Sequence, residues 1–451
     1  METPASTAIL PNSLKKMRKL FSPYGLVSRV SHLPNAEGEP IFPIFTGSLG
    51  NPGAALSNQS GWTHDMTSGN FDGAGGALTS ERAAHVAIAE SLERYSSCAW
   101  DPKQMVWATA SELGEDAIPP EQWPSCSETE LADPRSGLLP HDPKVPLRWV
   151  QGWSFTRNRP VYIPAVLVWL KNQPASSSER FVHPASTGCA AHSDPVSAVV
   201  NGLLEVVERD SIMLTWLQKM RLPALEFDLT DLTEEQRAYV ERGRSENLRT
   251  LLFDATTDLG IPVVYGLQLS DHDEHIAQML VATCETDPGQ AVAKLHREAA
   301  SLRIALRSMA QHRNTNTDGS TEKPVLSVVE GALLSGPFNE RHKFDFLLEG
   351  NRPTHRLRDL PRPTSGEQTL PWLLDRLHGR GCEVVAVDLT TDEARQVDAT
   401  VVKVLSPQLM PLSFAHHARY LAHPRLYQAP EAMGHPVRAE ADINPVPQPF
   451  A

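Results

Sequence analysis

Two stretches of the chain carry one pattern. Glu90-Ser-Leu-Glu93-Arg94 and Glu205-Val-Val-Glu208-Arg209 both read E-x-x-E-R, each inside an apolar run with helical spacing. Residues three apart on a helix share a face, so each run sets two carboxylates side by side. Like charges at that separation repel unless a cation lies between them. A hard ion such as Mg2+ takes oxygen ligands and commonly arrives with phosphates, which makes ATP chemistry the first expectation. One such motif alone reads better as a solvated helix face with a Glu90–Arg94 or Glu205–Arg209 salt bridge. Two copies, one in a helix that is apolar nearly all round, favour a bound cation, because idle buried carboxylates cost free energy.

The elements that must hold these motifs are legible around them. A Gly-rich stretch, 68–79, contains Gly69, Gly73, Gly75 and Gly76 and leads into a helix with Ser80 as N-cap and Glu81 in its first turn. It lacks the G-x-x-x-x-G-K-[ST] pattern of a P-loop, and its glycines are expected to permit tight turns. The second motif follows Ser186-Thr-Gly-Cys-Ala-Ala-His192 and a helix start marked by Asp194-Pro195. Val196, Val199, Val200, Leu203, Leu204, Val206 and Val207 predict a deeply buried helix. A third capped helix starts at Asp287-Pro288 and carries Lys294, Glu298 and Arg303. Strands are expected over 161–170, 262–269, 278–283, 383–388 and 400–405. The first 60 residues read as a short basic helix (13–20) followed by loops, and 115–146, rich in Pro and acidic residues, as a surface wrap. Interleaved strands and helices indicate an α/β fold.

Bulk properties exclude several classes. The 451 residues are 41% hydrophobic, enough for a large core, and carry a formal charge of −13, which argues against a nucleic-acid partner. Cys98, Cys126, Cys189, Cys284 and Cys382 are scattered, with no C-x-x-C pair, and read as reduced thiols of a cytoplasmic protein. Cys189 lacks a partner histidine and reads as a small buried thiol. No run of about 18 apolar residues is present, so no membrane span is expected. The apolar patch Ala8-Ile9-Leu10 precedes Lys15, Lys16, Arg18 and Lys19, the wrong order for a secretory signal.

Taken together, the Gly-rich stretch, the first E-x-x-E-R helix, the S-x-G-x-A-A-x-x-D-P turn and the L-L-E-V-V-E-R-D helix resemble the YcaO family. The likeness extends to Asp254-x-x-x-Asp258-Leu-Gly-Ile-Pro262, Lys294-x-x-x-Glu298 and His423-Pro-Arg-Leu-Tyr427, and so from about Tyr24 to the C-terminus. The resemblance implies a fold of the family's own, with mixed sheets and packed helices around an ATP/Mg site. It implies an enzyme that uses ATP and Mg2+ to activate a backbone amide of a ribosomally made precursor peptide. In the commonest version a Cys, Ser or Thr side chain attacks the preceding carbonyl, the oxyanion is phosphorylated, and loss of phosphate leaves a thiazoline or oxazoline ring.

By the same resemblance Glu90, Glu93, Glu205 and Glu208 hold Mg2+, and Arg94, Ser193, Arg209, Lys294 and Glu298 join them in binding the nucleotide. The run Pro445-Val-Pro447-Gln-Pro449, ending at Ala451, resembles the P-x-P-x-P tail of ring-forming members. It implies a catalytic role for Pro445, Pro447, Pro449 and the Ala451 carboxylate, since proline presets an extended shape at low entropic cost. Several positions depart from the family pattern: Lys294 stands where arginine is usual, Val86 for Ser, Ser197 for Glu, Ser193 for Asn, and Gly76 for a loop Lys. The expected division is an N-terminal helix and loop region, 1–60, and a catalytic domain with its tail, 61–451. Too few residues precede the Gly-rich stretch for a leader-binding domain. The expected partners are therefore a separate E1-like or RRE-containing protein, with a flavin dehydrogenase and a second copy of the chain as further candidates. Thioamide or amidine formation, and a non-catalytic scaffold, are the competing readings.

Overall fold

The computed structural model describes residues 12–50, 53, 56–59, 72–315, 328–364, 368–413 and 415–450. Three sheets share the work. The first is antiparallel, β1 (Arg29–Leu33), β2 (Ile44–Ser48) and β3 (Gly73–Gly76), in that order. The strands on either side of the boundary expected at residue 60 thus lie in one sheet. The second contains β4 (Met105–Ala108), β5 (Leu147–Ser154), β6 (Arg159–Pro164) and β7 (Cys189–His192). The third contains β8 (Ala224–Glu226), β9 (Leu248–Asp254), β10 (Val263–Ser270), β11 (Gln278–Cys284) and β12 (Thr354–Arg356), in the order β11-β10-β9-β8-β12. The chain then returns to the second sheet with β13 (Val385–Asp388) and β14 (Thr400–Leu405), giving the order β4-β5-β13-β14-β7 with β6 beside β5.

The helix Ser80–Ser96, here the first motif helix, lies on β3, β2 and β7. Its N-cap is Thr79, one residue before the expected Ser80, and Thr79 accepts the Arg82 N–H. The helix Pro195–Gln218, the second motif helix, starts where Asp194-Pro195 predicts and is wedged between β14 and β7 on one side and β11 on the other. Two sheets therefore cover it, which is why its sequence is apolar nearly all round. Leu203, Val207, Ile212, Leu214 and Trp216 are fully buried in the largest core cluster. The helix Pro288–Thr315 packs against β10 and β11.

Three expectations change. The Gly-rich stretch is partly a strand: a Cβ at Gly73 would sit 2.4 Å from the Ser91 nitrogen, and one at Gly75 would sit 2.2 Å from the Ala83 oxygen. These glycines serve close packing of β3 on the first motif helix, and none of the three in β3 has a positive φ. Gly69 lies outside the described residues. The stretch 161–170 is strand only to Pro164 and then turns through a 3-10 segment, Ala165–Leu167. The 115–146 wrap is anchored rather than superficial, with Ile118, Trp123, Cys126 and Leu138 buried. All five cysteines are free and buried, Cys189 as expected among them.

Candidate active site

The first motif helix turns Glu90, with Arg94 paired to it, toward β3 and Glu93 toward β7. Arg94 donates Nε and Nη2 to Glu90 Oε1 at 3.1 and 2.7 Å. Glu90 Oε2 accepts the Ala74 N–H at 2.9 Å from the edge of β3. Glu93 Oε2 accepts the Ala191 N–H of β7 at 3.2 Å. From the second motif helix, Glu205 Oε2 accepts the Gly188 N–H at 3.0 Å, and Glu205 Oε1 lies 3.3 Å from Arg209 Nη2. Arg209 Nη1 also donates to Glu208, whose other oxygen accepts the Cys284 N–H at 2.9 Å. The loop 185–191 is thus the hinge of the site, because its backbone N–H groups hold one glutamate from each motif.

Gly188 makes that loop possible. Its φ is +87°, and a Cβ there would lie 2.0 Å from the Val404 oxygen. Lys403, almost fully buried on β14, donates to the Ala185 oxygen at 2.5 Å and so pins the loop's start. Sequence reasoning passed over Lys403; its signal is a lone charge in an otherwise apolar strand.

The two motifs share one electrostatic field. Burial, then the charges of Glu90 and Glu205, push the Glu93 carboxyl up to about 8. Glu208 is pushed up to about 7, chiefly by burial, with Arg209 and Lys294 opposing the rise and Glu298 and Glu205 adding to it. Lys294 pairs with Glu285 at 3.0 Å, and Arg297 with Glu298 at 2.8 Å. Burial works against the Lys294 charge, but Glu285, Glu298 and Glu208 outweigh it and hold its pKa above the usual value. Eight of the nine residues expected to bind nucleotide, all but Ser193, therefore lie in contact or in mutual electrostatic reach. Ser193 sits in the bend before the second motif helix, two residues past Ala191, and its hydroxyl makes no hydrogen bond among the described residues.

This donor set fits Mg2+. It is all oxygen, it is over-supplied with negative charge, and two of its carboxyls sit where ionisation is unfavourable until a cation arrives. No three His, Cys, Asp or Glu side chains among the described residues close around one point. Mg2+ takes one or two carboxylates and keeps waters and phosphate oxygens, so paired glutamates suit it better than a closed cage.

The remaining motifs meet elsewhere. Arg425 donates Nε and Nη2 to Asp210 at 2.7 Å each and Nη2 to Asp258 at 3.0 Å. The E-R-D, D-L-G-I-P and H-P-R segments are thereby clamped together behind the second motif helix. Burial lowers the neighbouring His423 to about 4.

The C-terminal tail is docked. Asn444 donates its N–H to the Leu217 oxygen and its side-chain amide to the Trp216 oxygen, at 2.9 and 3.0 Å. Trp216 Nε1 donates to the Val446 oxygen at 3.0 Å. Pro445 is exposed, Pro447 half-buried and Pro449 buried. Phe450 is buried edge-on against Tyr265, with ring centroids 5.1 Å apart. Tyr265 Oη is buried there without a hydrogen-bond partner among the described residues. Tyr265 lies two residues along β10 from Val263, which pairs with Cys284, the donor to Glu208. That is about 7 Å of strand. The tail is thus held from the C-terminal end of the second motif helix to Tyr265 of β10; Ala451 lies outside the described residues.

Residues 74–410 match the family model described as YcaO cyclodehydratase, ATP- and Mg2+-binding. The chain belongs to the YcaO family, whose domain binds ATP and Mg2+. It is 27% identical over 280 residues to an uncharacterized protein in the tfuA 3' region of Rhizobium leguminosarum bv. trifolii, covering 58% of this chain and 61% of that one. A heterocyclase in complex with substrate and cofactor superposes with a TM-score of 0.75 at 22% identity, covering 100% of this chain and 59% of that one. The YcaO protein of Methanopyrus kandleri bound with AMPPCP and Mg2+ superposes with a TM-score of 0.58 at 20% identity, covering 89% of each chain. The chain thus spans about three-fifths of the length of the Rhizobium relative and of the heterocyclase. At those identities the two superpositions establish the YcaO fold expected from the motifs. Among the described residues no helix is long and apolar enough to cross a membrane.

Proposed function

We propose that the protein is a cyclodehydratase that converts Cys, Ser or Thr residues of a ribosomally made precursor peptide to thiazoline or oxazoline rings. The observation that supports the reading is the P-x-P-x-P tail docked on the second motif helix and β10 through Trp216 and Tyr265. Glu90, Glu93, Glu205 and Glu208 hold Mg2+, and Arg94, Arg209, Lys294 and Glu298 order the nucleotide around it. ATP, when bound, supplies the phosphoryl group that turns a peptide amide oxygen into a leaving group.

The chain's own contribution is to orient and to move protons. The loop 185–191 keeps Glu93 and Glu205 facing one another, which fixes the spacing between metal-binding groups. The tail carboxylate would be the base that takes the proton from the attacking side chain, releases it to solvent, and then takes the amide proton as phosphate leaves. Peptide-leader recognition would be left to a separate E1-like or RRE-containing partner. A flavin dehydrogenase would then oxidise the rings.

The test is mass spectrometry of a precursor peptide encoded beside the gene, incubated with the protein, its partner, ATP and Mg2+. ATP-dependent loss of one water per ring supports the proposal. ATP turnover with a peptide of unchanged mass would refute ring formation and favour another amide chemistry.

A further inference from the structure

Arg297 is absent from the motifs read in the sequence, yet it lies among the charged groups around Glu298 and Lys294. It lies beside Glu298 on the Pro288–Thr315 helix and close enough to Lys294 to oppose its charge. The other cations of the site are committed. Arg94 spends two N–H groups on Glu90, Arg209 contacts both Glu205 and Glu208, and Lys294 is paired with Glu285. Arg297 spends a single N–H group, on Glu298, and its side chain remains 25% exposed.

Its path is set by Gly76. A Cβ at residue 76 would lie 2.8 Å from Ile44 Cδ1, 3.2 Å from Arg297 Cγ and 3.5 Å from Cδ, so the arginine stem packs on bare backbone beside Ile44. That backbone belongs to β3, the edge strand whose Ala74 N–H holds Glu90. In an antiparallel strand N–H groups two residues apart point to the same side, so the Gly76 N–H faces the same open edge as that of Ala74. An arginine with donors to spare is thus packed against the strand whose outward N–H groups hold Glu90.

We infer that Arg297 and the Gly76 N–H bind the polyphosphate of the nucleotide, with Arg297 the cation that meets its terminal phosphates. The inference rests on the ATP reading of the site. Arginine suits the task because its planar fork can give two bonds to one phosphate while a third N–H stays on Glu298.

The experiment is titration calorimetry of the full chain with AMPPCP plus Mg2+ and, separately, with AMP. A charge-assisted contact predicts that Arg297→Ala weakens AMPPCP roughly ten- to hundredfold. It should leave AMP within about twofold of wild type and the melting temperature unchanged, since a partly exposed pair adds little stability. Arg297→Lys should recover part of the loss, and Gly76→Ala should weaken AMPPCP by displacing the stem. If Arg297→Ala binds AMPPCP as wild type does, or loses AMP equally, the inference fails. Should wild type bind AMPPCP and Glu208→Gln abolish it while Arg297→Ala does nothing, the ATP reading stands and only this inference falls. If wild type binds neither nucleotide, both fall.

Discussion

Glu93 should make the metal-free protein less stable as pH rises, the reverse of ordinary acid denaturation. Its carboxyl is raised from 4.5 to about 8, first by burial and then by Glu90 and Glu205. Between those values the folded chain keeps a proton that the unfolded chain has released. Stability therefore falls with pH across that window, because the folded state binds more protons. The full shift of about 3.5 units corresponds to on the order of 5 kcal/mol, and the part lost between about pH 5.5 and pH 8 to roughly 3 kcal/mol. An entropy of about 2.1 cal/mol/K per residue over 451 residues converts this to a fall of about 3 °C in melting temperature. Glu93→Gln removes the titration but keeps an acceptor for the Ala191 N–H. The assay is differential scanning calorimetry of wild type and Glu93→Gln across that range without Mg2+ or nucleotide. Relative to the variant, wild type should lose about 3 °C, and AMPPCP plus Mg2+ should erase the difference by supplying the missing cation. Parallel pH profiles for the two proteins would refute the burial and charge argument, and with it the fit of the site to a divalent ion.

Three further outcomes are expected. Glu205→Gln or Glu208→Gln should abolish ATP-dependent peptide processing while far-UV circular dichroism stays native; wild-type turnover in either would sink the metal assignment. Gly188→Ala should cost on the order of 3 kcal/mol in a urea unfolding series, since its φ of +87° and the Val404 oxygen leave no place for a Cβ. An unchanged midpoint would show that the loop relaxes freely. Truncation before Pro445 should remove ring formation with AMPPCP affinity kept within about threefold, at a stability cost near the roughly 3 kcal/mol of losing a buried Phe side chain. Loss of nucleotide affinity in step with turnover would make the tail structural instead.

What the sequence disclosed and what it hid divide along physical lines. Asp194-Pro195 and the apolar run behind it located the second motif helix to the residue, because capping and burial are local signals. The strands β10, β11 and β14 were equally plain, being apolar and bounded by turn residues. By contrast β1, β2 and β5 escaped notice. Two of them hold polar or half-exposed residues that fit a strand only once a partner sheet exists. The glycines of β3 misled for a related reason: what they avoid is the backbone of another helix, not a forbidden φ. Lys403 and Arg297 are the instructive misses at the site. Each acts through a residue distant in sequence, Ala185 for one and Gly76 for the other, so neither has a spacing to detect.

Position 76 shows how such misses distort a reading by motif. Taken alone, glycine where the resemblance expects lysine looks like a cation lost, and with Val86 and Ser197 it is a departure that supports a non-catalytic scaffold. In the fold, the absence of a Cβ at 76 is what allows the Arg297 stem to cross β3. Lys294, where arginine is usual, is meanwhile held by Glu285 rather than turned outward. The charge that leaves the strand and the fork that leaves position 294 are both available from one residue three positions further along the helix. On this argument the departures rearrange the cations around an intact set of glutamates, and the case for a dead site weakens where it had seemed strongest.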